Sequence, residues 1–193
     1  MGRTIYLQKI GDLKPTVLPT LKRQLQQELR NFNINVEVSG IEMGLTETEF
    51  NKSKNQFNAS KILKLIRKRF PTENYFRILG VLDKDIYTRN YNFVFGLASM
   101  QSGASVISIT RLNEQFYKNT GLLYRRHETE KNVEERILKE AIHELGHTFG
   151  LQHCNNLCVM RFSNSLKEVD EKLPRFCNSC LISLKAVLNN SNT

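Results

Sequence analysis

The sequence predicts an α/β (α+β) fold, a sheet with helices packed on it, and three observations carry that prediction. Leu18, Leu21, Leu25 and Leu29 recur at helical spacing within residues 15–32. Ile34, Val36 and Val38 alternate as the residues of a half-buried strand do. Residues 76–82 form an apolar run without alternation, which suits a strand covered on both faces at the centre of a sheet.

The remaining elements follow along the chain. Residues 4–10 read as the first strand, and residues 42–57 are polar and read as a loop. Asn58 is placed to cap a helix that runs to Phe70, where Pro71 ends it. Residues 92–97 and 104–112 read as two more strands joined by a turn at Gln101, Ser102 and Gly103. The resulting order, β-α-β-α-β-β-β, is that of a sheet with helices packed on it. A long helix is expected over residues 132–148, with Val133, Ile137, Ala141 and Leu145 on one stripe. Asn132 followed by Glu135 is its start signal and Gly150 its stop signal. Residues 151–193 are a short segment that carries all four cysteines and is expected to form a small lower lobe with one helix at residues 179–188, fraying from 189. The 193 residues are expected to make one domain, with an upper lobe to about residue 153 and a lower lobe from about 154.

Composition narrows the class. The chain is 40% hydrophobic and 24% charged, as ordinary globular domains are, and no stretch approaches a membrane span. Residues 1–9 read as a strand and are too short and mixed in polarity for an export signal. Gly2 is followed by Tyr6 where an acylation signal needs Ser or Thr, so a cytoplasmic protein without membrane attachment is expected. The net charge of +9 raises the question of a nucleic-acid partner. Its densest run, Lys61, Lys64, Arg67, Lys68 and Arg69, lies on a helix without interleaved aromatics, so a solvated basic face is expected instead. A monomer is expected.

The chemistry concentrates between residues 143 and 180. Residues 143–147 read His-Glu-Leu-Gly-His. Positions four apart on a helix differ by about 40° in azimuth, so His143 and His147 project together and can share one Zn²⁺. Glu144 is turned by about 100° from His143, close enough to activate a water at the metal but badly placed to be a third ligand. Gly150 allows the chain to reverse, and His153 follows as the third imidazole. Three protein ligands leave a fourth position open, which marks a catalytic rather than a structural zinc. HExxH alone is weak evidence, and the full HExxHxxGxxH string is strong. The one other histidine, His127, follows two arginines and is expected to be an ordinary exposed residue.

All four cysteines lie in the last quarter of the chain. Cys154 and Cys158 form one close pair, Cys177 and Cys180 another, with 18 residues between the pairs. That is the spacing of a closed Cys₄ zinc site, here a structural staple for a lobe with little core of its own. Disulfides are the alternative, disfavoured in a chain without an export signal.

These residues resemble the archaemetzincin (archaelysin) family of metzincin zinc metalloproteases. The likeness rests on His143 to His153, on Cys154 directly after the third histidine, on Cys158-Val-Met160, and on Cys177-Asn-Ser-Cys180. It extends upstream to Ile78-Leu-Gly-Val-Leu-Asp83-Lys-Asp85-Ile-Tyr87 and Asn92-Phe-Val-Phe-Gly-Leu-Ala98. The resemblance implies a twisted mixed sheet above an active-site helix, zinc peptidase activity, and a peptide substrate. It implies that Met160 is an apolar floor under the catalytic zinc. It also implies that residues 104–110 are the edge strand above the cleft, where an extended peptide pairs.

Two other readings stand beside a peptidase. One is a zinc-binding module that hydrolyses nothing, and Glu144 argues against it, since a purely structural site needs no base. The other is a nucleic-acid unit built on the cysteine lobe, and the scatter of the basic residues argues against that.

Overall fold

The computed structural model describes residues 3–71, 75–119 and 129–190. Met1, Gly2, His127 and residues 191–193 of the expected frayed end lie outside the described residues.

The main sheet has five strands in the order β2-β1-β5-β8-β7. These are β1 (Arg3–Ile10), β2 (Ile34–Val38), β5 (Arg77–Leu82), β7 (Gly96–Ser99) and β8 (Ala104–Ser108). β2, β1, β5 and β8 are parallel, and β7 pairs antiparallel to β8. The apolar run of β5 does occupy the central position, and its residues from Ile78 to Leu82 are all buried. A second small sheet holds β3 (Phe50–Asn51), β4 (Gln56–Asn58) and β6 (Ile86–Tyr87).

Helices cover both faces of the main sheet. Leu18, Leu21, Leu25 and Leu29 of α1 (Val17–Leu29) join Ile5, Leu7, Val36 and Val81 in one core. Helix α4 (Glu130–Thr148) adds Ile137, Ala141 and Leu145 to it. On the other face, Ile62, Leu63 and Ile66 of α2 (Ala59–Arg69) pack on Ile10, Ile78 and Val106. Asn58 caps α2 by accepting the Lys61 N–H at 3.1 Å, and the five cations of that helix are exposed. Short helices α3 (Glu114–Asn119) and α5 (Leu166–Glu171) precede the last helix, α6 (Asn178–Asn190). Among the described residues, no helix is long and apolar enough to cross a membrane.

Several sequence expectations need correction. The polar stretch 42–57 is not all loop, because β3 and β4 form a small hairpin with Glu49 and Gln56 buried. Strands of two and three residues are too short to show alternation. The cap of α4 is Thr129, whose hydroxyl accepts the Asn132 N–H, so the helix starts ahead of the Asn132 signal. Of residues 92–97, only the last two are in a strand, since Val94 turns its N–H to Ile86 instead. Beyond Ser108 the chain enters a 3₁₀ turn rather than continuing as strand. Helix α5 was missed, although Ser165 and Glu168 form a capping box, with the Glu168 N–H donating to the Ser165 hydroxyl at 3.3 Å. Most consequentially, residues 104–110 are not the edge. β8 lies between β5 and β7, and β7 is the edge strand.

The apolar stripe of α4 is half of its story. From Arg136 to Gly146 the helix is buried all round, charged residues included. The Arg136 guanidinium donates to Asp170 at 2.7 and 2.9 Å, to Glu114 at 3.0 Å and to the Leu112 carbonyl at 3.1 Å. Lys172 and Glu140 meet at 2.6 Å with both side chains out of solvent. Arg136, Lys139 and Glu140 are thus each matched by an opposite charge. Replacing Arg136 with Ala strands Glu114 and Asp170 and should cost about 3–5 kcal/mol in urea unfolding. Replacing Lys167, in an exposed pair with Glu171, should cost less than about 1 kcal/mol in the same assay.

Candidate metal centre and cleft

Helix α4 carries His143, Glu144 and His147 on its last two turns. The His143 Nδ1–H donates to the Val159 carbonyl at 2.8 Å, and the His147 Nδ1–H donates to the Leu151 carbonyl at 2.7 Å. A carbonyl only accepts, so both rings hold their proton on Nδ1 and present a bare Nε2. The two Nε2 atoms stand 3.1 Å apart. Two lone pairs at that distance repel one another unless a cation lies between them. Gly150, at φ 86°, occupies the left-handed region and turns the chain back under the helix. His153 then joins, its ring centroid 5.3 Å from that of His143 and 4.9 Å from that of His147. One nitrogen of each ring lies within 4.8 Å of the others. This donor set fits a tetrahedral zinc that keeps one open position. Burial holds the pKa of all three rings below the ordinary imidazole value, most strongly at His143, and so favours the neutral form that binds metal.

Glu144 is buried beside His143. Burial first, and the neighbouring Glu140 carboxylate second, push its carboxyl well above the usual range, while the Lys172 ammonium opposes them. A cation on the imidazoles acts in the same direction as Lys172.

Met160 packs against Gly146 of helix α4, the residue before His147. Residues 158–161 form a turn closed by the Arg161 N–H on the Cys158 carbonyl at 3.0 Å. The Val159 carbonyl of that turn is the one that holds His143. The Met160 carbonyl accepts from the Cys154 N–H at 3.0 Å. Its fully buried side chain presses on Gly146, where an added Cβ would stand 2.4 Å from Met160 Sδ.

The four cysteines converge, one sulfur from each lying within 4.8 Å of the others, and none is in a disulfide. Cys154 Sγ and Cys177 Sγ are 3.7 Å apart, and the Cys177 N–H donates to Cys158 Sγ at 3.2 Å. The Ser179 hydroxyl, with other donors, draws the Cys177 thiol down to about 5, while burial pushes Cys158 and Cys180 up. Four sulfurs this close ionise together only around a cation, and the donor set fits a closed tetrahedral zinc.

Above the histidines runs a cleft of about 200 Å³, walled by β7 and by Tyr91, Phe93 and Phe162. Phe162 stands 5.1 Å from the His153 ring and 6.4 Å from Tyr91. The strand pairing decides which backbone groups face it. The Ser108 N–H goes to Phe95 on the β7 side, while the Ile109 N–H goes to Leu82 on the β5 side. With Leu97 opposite Val106 and Ser99 opposite Ala104, these residues carry the ladder to β8. Gly96 and Ala98 therefore turn their N–H and C=O groups outward, away from the sheet. Sequence reasoning missed Glu140, Lys172, the three aromatic walls and Gly96 as members of this site. Glu140 was findable, three residues before His143 and so on the same helix face. The others come from distant segments with no local signal.

An edge strand over two helix-borne histidines and a glutamate, joined by a third histidine from beyond the helix, defines a zinc metallopeptidase. Comparison with known proteins agrees. The pattern of Peptidase family M54 matches residues 28–186. An archaemetzincin of Pyrococcus abyssi is 38% identical, with 99% of this chain and 98% of that protein covered. One of Nanoarchaeum equitans is 41% identical over 80% of this chain and 75% of its own. The crystal structure of archaemetzincin from Methanopyrus kandleri superposes with a TM-score of 0.80 at 31% identity, covering 97% of this chain and 96% of that one. The Archaeoglobus fulgidus structure, complexed with malonate, gives 0.76 at 34% identity over 93% of this chain and 99% of that one. The chain belongs to peptidase family M54, the archaemetzincins.

The contact between Met160 and Gly146 is testable by itself. Gly146→Ala should lower stability by about 1–3 kcal/mol through overpacking, read as a fall in melting temperature. An unchanged melt would mean that Met160 is not held against the helix.

Proposed function

We propose that this metallopeptidase hydrolyses peptide bonds with Glu144 as general base, on a zinc held by His143, His147 and His153, and that a second zinc on Cys154, Cys158, Cys177 and Cys180 is structural. The observation that carries the first part is the pair of bare Nε2 atoms 3.1 Å apart beside a buried carboxyl. Zinc in such a site polarises a carbonyl and makes water nucleophilic near neutral pH.

The protein's own groups supply the rest. An extended peptide pairs with the outward N–H and C=O groups of Gly96 and Ala98, which lays a scissile bond across the histidines. The aromatic walls exclude water from that bond. Glu144 takes the proton of the attacking water and passes it to the leaving amine. Met160 and the Val159 carbonyl keep the His143 ring in place, and Cys158 of the same turn ties that support to the cysteine cluster. Residues 154–193 act as the lower lobe of a single catalytic unit. Four free thiols that serve as ligands fit a reducing, cytoplasmic compartment. A zinc-binding module without hydrolysis is disfavoured by the buried Glu144, which no structural site requires.

Two measurements test this. Metal analysis should give two zinc ions per chain, falling to one in a His143→Ala/His147→Ala variant, with cleavage of a peptide library lost. Glu144→Gln should keep both ions and lose about 10²–10⁴-fold in kcat. Full activity in Glu144→Gln would remove the base from the mechanism, and a wild type that binds zinc and cleaves nothing would favour the binding module.

A further inference from the structure

Gly96 opens β7, the strand that edges the cleft. Its backbone is not in the left-handed region, so its lack of a side chain does not answer a conformational demand. The demand is for space. A Cβ at this position would stand 2.5 Å from Glu144 Cγ, 2.7 Å from Oε1 and 2.8 Å from Cδ. Carbon atoms in contact prefer about 3.5–4.0 Å. Glu144 is buried, and the open space that it borders is the cleft itself. Ala98 follows two residues on, along the same face of the strand, and does carry a Cβ. Packing of strand on helix therefore tolerates a methyl group there, and the requirement for none is local to the carboxylate.

The same residue turns its N–H and C=O toward the cleft, on the side where a peptide would pair. We infer that Gly96 is a positioning residue for the reaction: carrying no side chain, it lets the edge strand rest directly on Glu144 and so sets the distance between that carboxylate and the backbone of a bound peptide. This rests on the reading of Glu144 as the base. A side chain at position 96 displaces the carboxylate from the scissile bond or lifts the strand that holds the substrate.

The test is Gly96→Ala, with Gly44→Ala, where a Cβ meets nothing within 4 Å, as the control that leaves activity unchanged. Gly96→Ala should keep its zinc content and lose about tenfold or more in kcat, with KM changed by less than about threefold. In a Glu144→Asp background, where the carboxylate is withdrawn by one methylene, the same substitution should cost less than about threefold. A readout independent of catalysis is stability. Any fall in melting temperature caused by Gly96→Ala should be recovered when it is combined with Glu144→Ala, which removes the clashing atoms. Unchanged kcat, an equal loss in both backgrounds, or a melting loss that persists without the Glu144 side chain would overturn the inference. A wild type without peptidase activity would overturn the base reading instead, and the melting series would still decide whether residue 96 bears on Glu144.

Discussion

Two hydrogen bonds to backbone carbonyls organise this molecule's chemistry: His143 to Val159 and His147 to Leu151, at 2.8 and 2.7 Å. Each fixes a ring's tautomer and its angle, and each comes from chain that lies beyond the helix. The Leu151 carbonyl reaches His147 only because Gly150 reverses the chain. The Val159 carbonyl reaches His143 only because residues 158–161 are held in their turn. The histidines are therefore preorganised by the C-terminal segment rather than by helix α4, which merely spaces them.

That dependence explains why the cysteine cluster sits where it does. Cys154 follows His153 directly, and its N–H holds the Met160 carbonyl. Cys158 begins the turn that supplies Val159, and its sulfur accepts from the Cys177 backbone. A closed tetrahedral site at these sulfurs would lock the positions of two imidazoles at once. The polar face of α4 adds to the attachment. Arg136 and Glu140 bind Asp170 and Lys172 of the same C-terminal segment. Such buried pairs add little net stability over apolar packing, but removing one partner leaves the other as an uncompensated buried charge.

The upper wall of the cleft is set by a different constraint. A parallel sheet ends in an exposed strand, and here the last strand, β7, runs antiparallel to the rest. Its alternating hydrogen-bond pattern leaves Gly96 and Ala98 turned outward over the histidines. The aromatic residues around it come from segments before β7 and after the Met160 turn, so the cleft is assembled from three separate parts of the chain.

Much of the fold and most of the site were legible in the sequence because they depend on short-range spacing. Helical periodicity placed His143 and His147 together, the glycine bend brought His153 within reach, and two close cysteine pairs announced a four-sulfur cluster. Leu18 to Leu29 and the unbroken apolar run before Asp83 marked a covering helix and the central strand. Tertiary structure decided what has no local signature. Which strand is the edge depends on the order of pairing, and a short run such as Ala-Ser-Val-Ile-Ser at residues 104–108 reads alike in an inner or an outer place. The buried charges of α4 look like a solvent face until Asp170 and Lys172 arrive from more than thirty positions away. The packing of Gly96 on Glu144 is a contact between segments 48 positions apart. Spacing along a helix is fixed by covalent geometry and can be read from one sequence. Contacts between distant segments are fixed by how the whole chain packs, and only the folded molecule displays them.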